Sequence, residues 1–209
     1  METEQQELPP YIVPPCPRDP DILYRDEHVL LVNKPEWLLT VPGRHPLNRD
    51  CLINRLQQDH PSATIVHRLD LDTSGILVVP LTRSAHRHIS RQFQERRVEK
   101  SYQAIVYGPL KQSSGTIDLP IARDWSNRPR QIICTERGKH ALTHFTVLEQ
   151  TTPERSRVLL KPVTGRSHQL RIHLASIGHP ILGCDMYAHE RALAMSDRLL
   201  LHAHRLSLE

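Results

Sequence analysis

Apolar residues change their spacing several times along the 209-residue chain, and each change marks an element. Val29–Asn33 is a short apolar run closed by Lys34-Pro35, which predicts a strand, and Val41-Pro42-Gly43 predicts a turn. Leu52, Ile53 and Leu56 give a short helical pattern. Thr64–Val66 and Ile76–Leu81 predict two strands on either side of a polar loop, His67-Arg-Leu-Asp-Leu-Asp-Thr-Ser-Gly75. Ala85, Ile89 and Phe93 recur every four residues behind Ser84, a capping residue, so an amphipathic helix is expected there with arginines on its other faces. From Lys100 to Tyr107 the residues alternate, with Tyr102, Ala104 and Val106 on one side, which is strand periodicity.

Further strands are expected at Gln131–Thr135, Ala141–Leu148 and Arg157–Val163, joined by short turns that imply antiparallel pairing. Ser167 precedes a helical stretch with Leu170, Leu174 and Ile177 on one face, stopped by Gly178 and Pro180. Its other faces carry His168, Gln169, Arg171 and His173. Leu199–Leu201 and Leu206–Leu208 suit a last strand pair or a sheet edge. The class these elements predict is α+β, a mixed and mostly antiparallel sheet with few helices. Six prolines fall within residues 9–20, so residues 1–20 are expected to form an extended lead-in and residues 21–209 the folded domain.

Charge sharpens this picture. Lys and Arg number 27 against 23 Asp and Glu, but residues 1–36 hold eight acids and three bases, which leaves +9 on the remainder. Arg83, Arg87, Arg91, Arg96, Arg97 and Lys100 form a basic block beside only Glu95 and Glu99. Such a block points to an anionic partner, most often nucleic acid, or else to a solvated helix face. The four cysteines are too scattered for a zinc site and suit a reduced, cytoplasmic setting. No apolar stretch reaches the length of a membrane span, and the acidic start is unlike a signal peptide.

Two segments carry chemistry. The loop holding Arg68, Asp70, Asp72, Thr73 and Ser74 places carboxylates and hydroxyls beside a cation at a strand end. Asp70 there is a nucleophile, a general base, half of a metal pair with Asp72, or a turn residue; Asp72 is assigned to the turn. The second segment, Thr164-Gly-Arg-Ser-His-Gln-Leu-Arg-Ile-His173, sets two arginines and two histidines around a helix start suited to phosphate or carboxylate, unless His168 and His173 are surface or satisfied core histidines. Serine-hydrolase, P-loop and dinucleotide-binding patterns are missing, and glycine is scarce at eight residues.

These segments resemble the signatures of the RluA family of RNA pseudouridine synthases: His67 to Val79, Gly165 to His173 with Gly178-His-Pro-Ile-Leu-Gly183, Lys100-Ser-Tyr102, and Asp26 to Pro35. The segment Asp124-Trp-Ser-Asn-Arg-Pro-Arg130 is similar to that of members with dual specificity for 23S ribosomal RNA and tRNA. The resemblance implies the family's catalytic fold, without the S4 domain many members carry, and conversion of uridine to pseudouridine with no cofactor and no metal. Asp70 is implied as the catalytic carboxylate, with Arg171 paired to it. Tyr102, on a strand edge, is implied to stack on the base and take the C5 proton. Arg68, Arg166, His168, Gln169, Arg87 and Arg91 are the implied substrate contacts, and Trp125 is either a base-stacking residue or a buried, structural tryptophan. The implied substrates are a 23S ribosomal RNA hairpin and the tRNA anticodon loop, acted on by a monomer in the cytoplasm. Two positions depart from the family: Trp37 stands where glycine is common, and Cys184 where aspartate usually follows Ile-Leu-Gly. The competing readings are the same chemistry on a single RNA class, a non-catalytic RNA-binding module, and a metal-dependent enzyme using Asp70 and Asp72.

Overall fold

In the computed structural model, which describes residues 11–209, β1 (Asp21–Arg25) and β2 (Val29–Lys34) form a hairpin in which Leu30, Val32 and Lys34 turn inward. α1 (Leu52–Asp59) buries the three apolar residues that predicted it. β3 (Ser74–Pro80) is buried almost throughout, as a strand covered on both faces must be. α2 (Arg83–Gln94) leads into β4 (Glu99–Tyr107), followed by β5 (Ser114–Asp118), a hairpin of β6 (Ile121–Arg123) and β7 (Gln131–Ile133), and the long pair β8 (Leu142–Thr152) and β9 (Arg155–Pro162). α3 (Gln169–Ser176), α4 (Glu190–Ala194) and β10 (Leu201–Ser207) complete the chain. The class is α+β, with a mixed sheet and few helices.

Eight strands form one sheet in the order β1-β2-β3-β10-β4-β9-β8-β5. Every neighbouring pair is antiparallel except β3 and β10, which run parallel and pair only at Ser74 with His202 and Gly75 with Ala203. This seam divides the sheet into two halves with separate cores. Leu30, Val32, Leu52 and Leu77 fill one; Val106, Val158, Leu160 and Leu174 fill the other; Tyr102 packs against both. Gly75 makes the seam possible. Its φ is +119°, and a Cβ there would lie 2.3 Å from the Ala203 carbonyl oxygen, so no side chain fits.

Several expectations change on the structure. Thr64–Val66 is not a strand: Thr64 N–H reaches the Pro80 carbonyl, but the chain then turns so that the His67 ring accepts from Val78 N–H. Thr82, not Ser84, caps α2 by accepting from Ala85 N–H. The last strand is neither an edge nor a hairpin but the middle of the sheet. Its outward His202, His204 and Arg205 gave it an edge-like pattern, and lateral position in a sheet is not written in local periodicity. Of the proline-rich stretch, residues 11–20 run without helix or strand, pinned by Asn48 to Tyr11 and Val13 and by Arg55 to the Cys16 and Arg18 carbonyls; Pro9 and Pro10 lie outside the described residues. Trp37 has φ +60°, the left-handed region glycine tolerates best, at the position where glycine is common in the resembled family.

Candidate active site

A cavity of about 470 Å3 opens at the parallel seam, lined by the loop before β3, the end of α2, β4 and the segment from Pro162 to Arg171. It gathers Arg68, Asp70, Tyr102, Arg166, His168, Gln169 and Arg171 from three separate stretches of sequence. The loop that carries Asp70 is anchored on both sides of it. Thr40 donates its hydroxyl to the Leu69 carbonyl (2.8 Å) and accepts from Leu69 N–H (3.2 Å). Lys34, fully buried, donates to the carbonyls of Pro35, Leu38 and Leu71. Burial pulls the Lys34 ammonium down to about 8, against the opposing attraction of Asp72, Cys16, Asp70 and Glu36. With Leu69 and Leu71 fixed and Thr73 N–H closing a turn on the Asp70 carbonyl, the Asp70 carboxylate faces the cavity. Among the described residues it has no ion-pair partner within 4.0 Å.

His67 fastens the start of the same loop. Its Nε2 accepts from Val78 N–H (3.1 Å) and its ring stacks on Phe93 at 4.7 Å. Burial, then the Lys100 charge, pushes the imidazole down to about 4, so the neutral form that can accept this bond persists. The unfolded chain takes up a proton near 6.5 and the folded one only near 4, so this group withdraws stability as pH falls through that window. His67→Gln supplies an acceptor that does not titrate. Its melting temperature is expected to fall less than that of the wild type between pH 6.5 and 4; parallel curves would remove His67 from the account.

Arg171 does not pair with Asp70. At 1% exposure in α3, its Nη1 lies 3.5 Å from Asp72 Oδ2, Nη2 donates to Asp185 Oδ1 (2.6 Å), and Nε donates to Cys184 Sγ (3.3 Å). All three guanidinium nitrogens are therefore engaged, and Asp70 acts on Arg171 only as a more distant charge. Burial opposes the guanidinium charge, but Cys184, Asp70 and Asp185 hold it above its ordinary range. Asp72, assigned to the turn from sequence, is thus an ion-pair member. Burial raises its carboxyl, Arg171 pulls it back, and Asp185 and Asp70 raise it further. The departure Cys184-Asp185 is explained by the same group: the thiol takes Nε and the displaced carboxylate takes Nη2.

Tyr102 is on an interior strand, not an edge, paired with Ala203 on one side and Leu160 on the other. Burial, then Asp70, pushes its hydroxyl up to about 12, which keeps the phenol neutral. Lys100, two residues earlier, also lines the cavity, and burial lowers its ammonium.

The second segment is more deeply built in than its polarity suggests. Gln169, Arg171 and His173 are buried, not displayed on outer helix faces. The Gln169 amide accepts from the Thr164 hydroxyl and Arg166 N–H and donates to Leu142 O and Thr143 Oγ1, which makes it a brace for the cavity wall instead of a free substrate contact. His173 bonds Thr143 and the Leu119 carbonyl. His168, with φ +54°, starts α3 and its Nδ1 meets Tyr187 Oη at 2.7 Å. Arg166 donates Nε to the His140 carbonyl and Arg68 is exposed at the cavity.

Arg87 and Arg91 do not reach this cavity. With Arg83 and His86 they line a neighbouring groove of about 790 Å3 along α2, and Gln94 is common to both. The basic block is not one helix face either, because α2 stops at Gln94. Arg96, at φ +58°, turns into the cavity, Arg97 pairs with Glu95 and Glu209, and Lys100 belongs to β4. Sequence reasoning missed Thr40, Lys34 and Tyr187 as site residues, and marked Asp185 only as the aspartate one place after Cys184. Lys34 left a trace of its own, a charged residue at an inward position of an apolar strand.

Comparison with known proteins gives the same picture from outside. The family described as RNA pseudouridylate synthase matches residues 28–176. The chain is 52% identical over 187 residues to the dual-specificity RNA pseudouridine synthase RluA of Yersinia pestis, covering 90% of this chain and 91% of that one. It is 51% identical to the protein of that name from Escherichia coli strain K12, over 90% of this chain and 85% of that one. Among solved structures it is similar to human RNA pseudouridylate synthase domain containing 1, at TM-score 0.76 and 33% identity, over 96% of this chain and 80% of that one.

Proposed function

The chain belongs to the RNA pseudouridylate synthase family, and from that premise we propose that Asp70 is its catalytic carboxylate and that uridine binds in the cavity at the parallel seam. The chain is an RNA pseudouridine synthase, an isomerase. In its reaction the N1–C1′ bond breaks, the base turns, and a C5–C1′ bond forms. The C5 proton is lost and N1 gains one, so substrate and product are isomers. The observation that carries the site is the Asp70 carboxylate itself: fixed by its backbone, facing a cavity of nucleoside scale, and held by no ion pair among the described residues. Arg68, Arg96 and Lys100 line the same cavity and set positive charge around the site where an anionic nucleotide would enter.

Tyr102 supplies a flat face for the extruded base. Its hydroxyl, pushed up to about 12, stays protonated and leaves almost no phenolate to take a proton, so stacking and positioning are its part in the reaction. Arg171 acts through Asp72, Asp185 and Cys184 as a positioning residue beneath the loop. Arg68, Arg166 and His168 at the cavity, with Arg87 and Arg91 along the adjoining groove, contact the RNA strand that enters. Extruding a uridine from a loop costs a few kcal/mol, which phosphate contacts of this kind offset. The substrates we assign are a 23S ribosomal RNA hairpin and the tRNA anticodon loop, both of which present the unstacked uridines that proteins of this sort read. Support comes from relatives at about half identity whose name is dual-specificity. A monomer working in the cytoplasm fits these substrates, and no helix among the described residues is long and apolar enough to cross a membrane.

The test is release of tritium from 5-tritiated uridine in stem-loops of each RNA. Release from both is the expected result, undiminished by EDTA. Release from one alone reduces the proposal to a single RNA class. A requirement for added metal would favour a metal site at Asp70, although Asp72 already gives its carboxylate to Arg171.

A further inference from the structure

Asp70 leads into β3 and Tyr102 lies on β4, so the two meet across the cavity only as well as β10 aligns those strands. On one side β10 is firmly joined: six residue pairs tie it to β4, as six tie β2 to β3. On the other side it meets β3 at two pairs alone, Ser74 with His202 and Gly75 with Ala203. An irregularity between Ala203 and Arg205 bends β10 just beyond them. The shortest ladder in the eight-stranded sheet is therefore the one that sets Asp70 against Tyr102.

A side-chain bond reinforces that ladder from behind. Tyr102 and Leu201 line the cavity and Ala203 is paired with Tyr102, so His202, between Leu201 and Ala203, points to the opposite face. Ser74, its register partner, points the same way. Ser74 Oγ and His202 Nδ1 are hydrogen-bonded at 2.9 Å, and neither residue lines the cavity. Ser74 is buried, while His202 is exposed. Near the same imidazole, Glu36, just after β2, and Arg198, just before β10, pair at 3.8 Å and form a second link between the halves of the sheet.

We propose that Ser74 and His202 are positioning residues for the reaction: their bond clamps β3 to β10 and so holds the Asp70 carboxylate in line with the base stacked on Tyr102. The inference rests on the assignment of the Asp70 cavity as the uridine site. Between Asp70 and Ser74 the chain is a closed turn, with Thr73 N–H on the Asp70 carbonyl, so a shift of Ser74 passes to Asp70 with little slack. A misplacement of about 1 Å at reacting atoms costs on the order of a hundredfold in rate, although no contact to the substrate is lost. RNA binding draws on cations at the cavity and along α2, which the clamp does not touch. The loss therefore falls on the chemical step.

Ser74→Ala and His202→Ala each remove the bond, while the Glu36–Arg198 pair and the six-pair ladder to β4 remain to hold the fold. Each is expected to lower kcat for tritium release by about ten- to thirtyfold, with KM and stem-loop Kd within about twofold of wild type. The melting temperature should fall by about 2–4 °C. The double variant should be no slower than the slower single one, because both changes sever one link. His202→Asn, whose amide sets a polar atom close to the place of Nδ1, and Ser74→Thr, which keeps the hydroxyl, should each recover most of the lost kcat. A purely structural bond would lower the melting temperature and leave kcat, measured well below it, unchanged. That result, additive losses in the double variant, or a rise in Kd with kcat intact would overturn the clamp and leave the cavity assignment standing. Should Ser74→Ala fail to fold, the same reading comes from His202→Asn set against His202→Ala. If the wild type releases no tritium, the cavity assignment is the one that fails.

Discussion

Asp70→Asn should abolish tritium release, by at least about 10^4-fold in kcat, while stem-loop Kd stays within about threefold of wild type. The substitution keeps the shape of the side chain and removes only its charge and basicity. Because the Asp70 carboxylate is held by no ion pair among the described residues, no salt bridge between them is lost. Its charge repels Asp72, whose carboxyl it helps raise, so neutralising it should leave the melting temperature unchanged or move it up by about 1–2 °C. A variant that is inactive and no less stable is the signature of a group placed for chemistry at some expense to the fold. Residual activity within a hundredfold of wild type would transfer the catalytic role elsewhere.

Arg171→Met should do the reverse, damaging the fold first and activity through it. The guanidinium sits between Asp72 and Asp185 with Cys184 on its third nitrogen, and Met replaces the volume but not the charge. Breaking such a buried arrangement from one side leaves a carboxylate without its partner, at a cost of about 3–5 kcal/mol. For a domain of this size that is a fall of roughly 10 °C in melting temperature. If the lost charge is responsible, adding Asp72→Asn to Arg171→Met should restore part of the stability, since it removes the stranded carboxylate. A double variant no more stable than Arg171→Met would assign the loss to packing at Tyr187, which also faces Arg171.

The contrast between these two residues shows how far sequence reaches. Asp70 could be singled out because its type, its loop and its flanking strands are all local facts. The partner of Arg171 could not, because Asp72 and Asp185 converge on it from different elements and the nearest family aspartate is displaced by Cys184. Periodicity found α1, α2, α3 and most strands, since burial of one face repeats at a fixed spacing. It misread His173 and Gln169 as outward because α3 is enclosed on every side, and polar residues in an enclosed helix look amphipathic until their partners are known. It also read arginines 83 to 97 as one surface, whereas the end of α2 at Gln94 sends Arg96 and Arg97 to different neighbours.

The place of β10 at the centre of the sheet sets an order of events during synthesis. Asp70 precedes β3 and Tyr102 lies on β4, and these strands border β10 on opposite sides. Both emerge from the ribosome long before Leu201–Ser207, so the growing chain carries two half-sheets with open inner edges. β10 closes both edges at once, and Gln92 on α2 then binds the Glu209 backbone on both its N–H and its carbonyl. Contacts between residues so far apart in sequence are slow to form, and until they do the exposed edges are open to chaperones and to one another. The carboxylate and the aromatic face thus come together only once Leu201–Ser207 has been made, so a chain that stops short of that strand has no assembled site with which to modify the RNA around it.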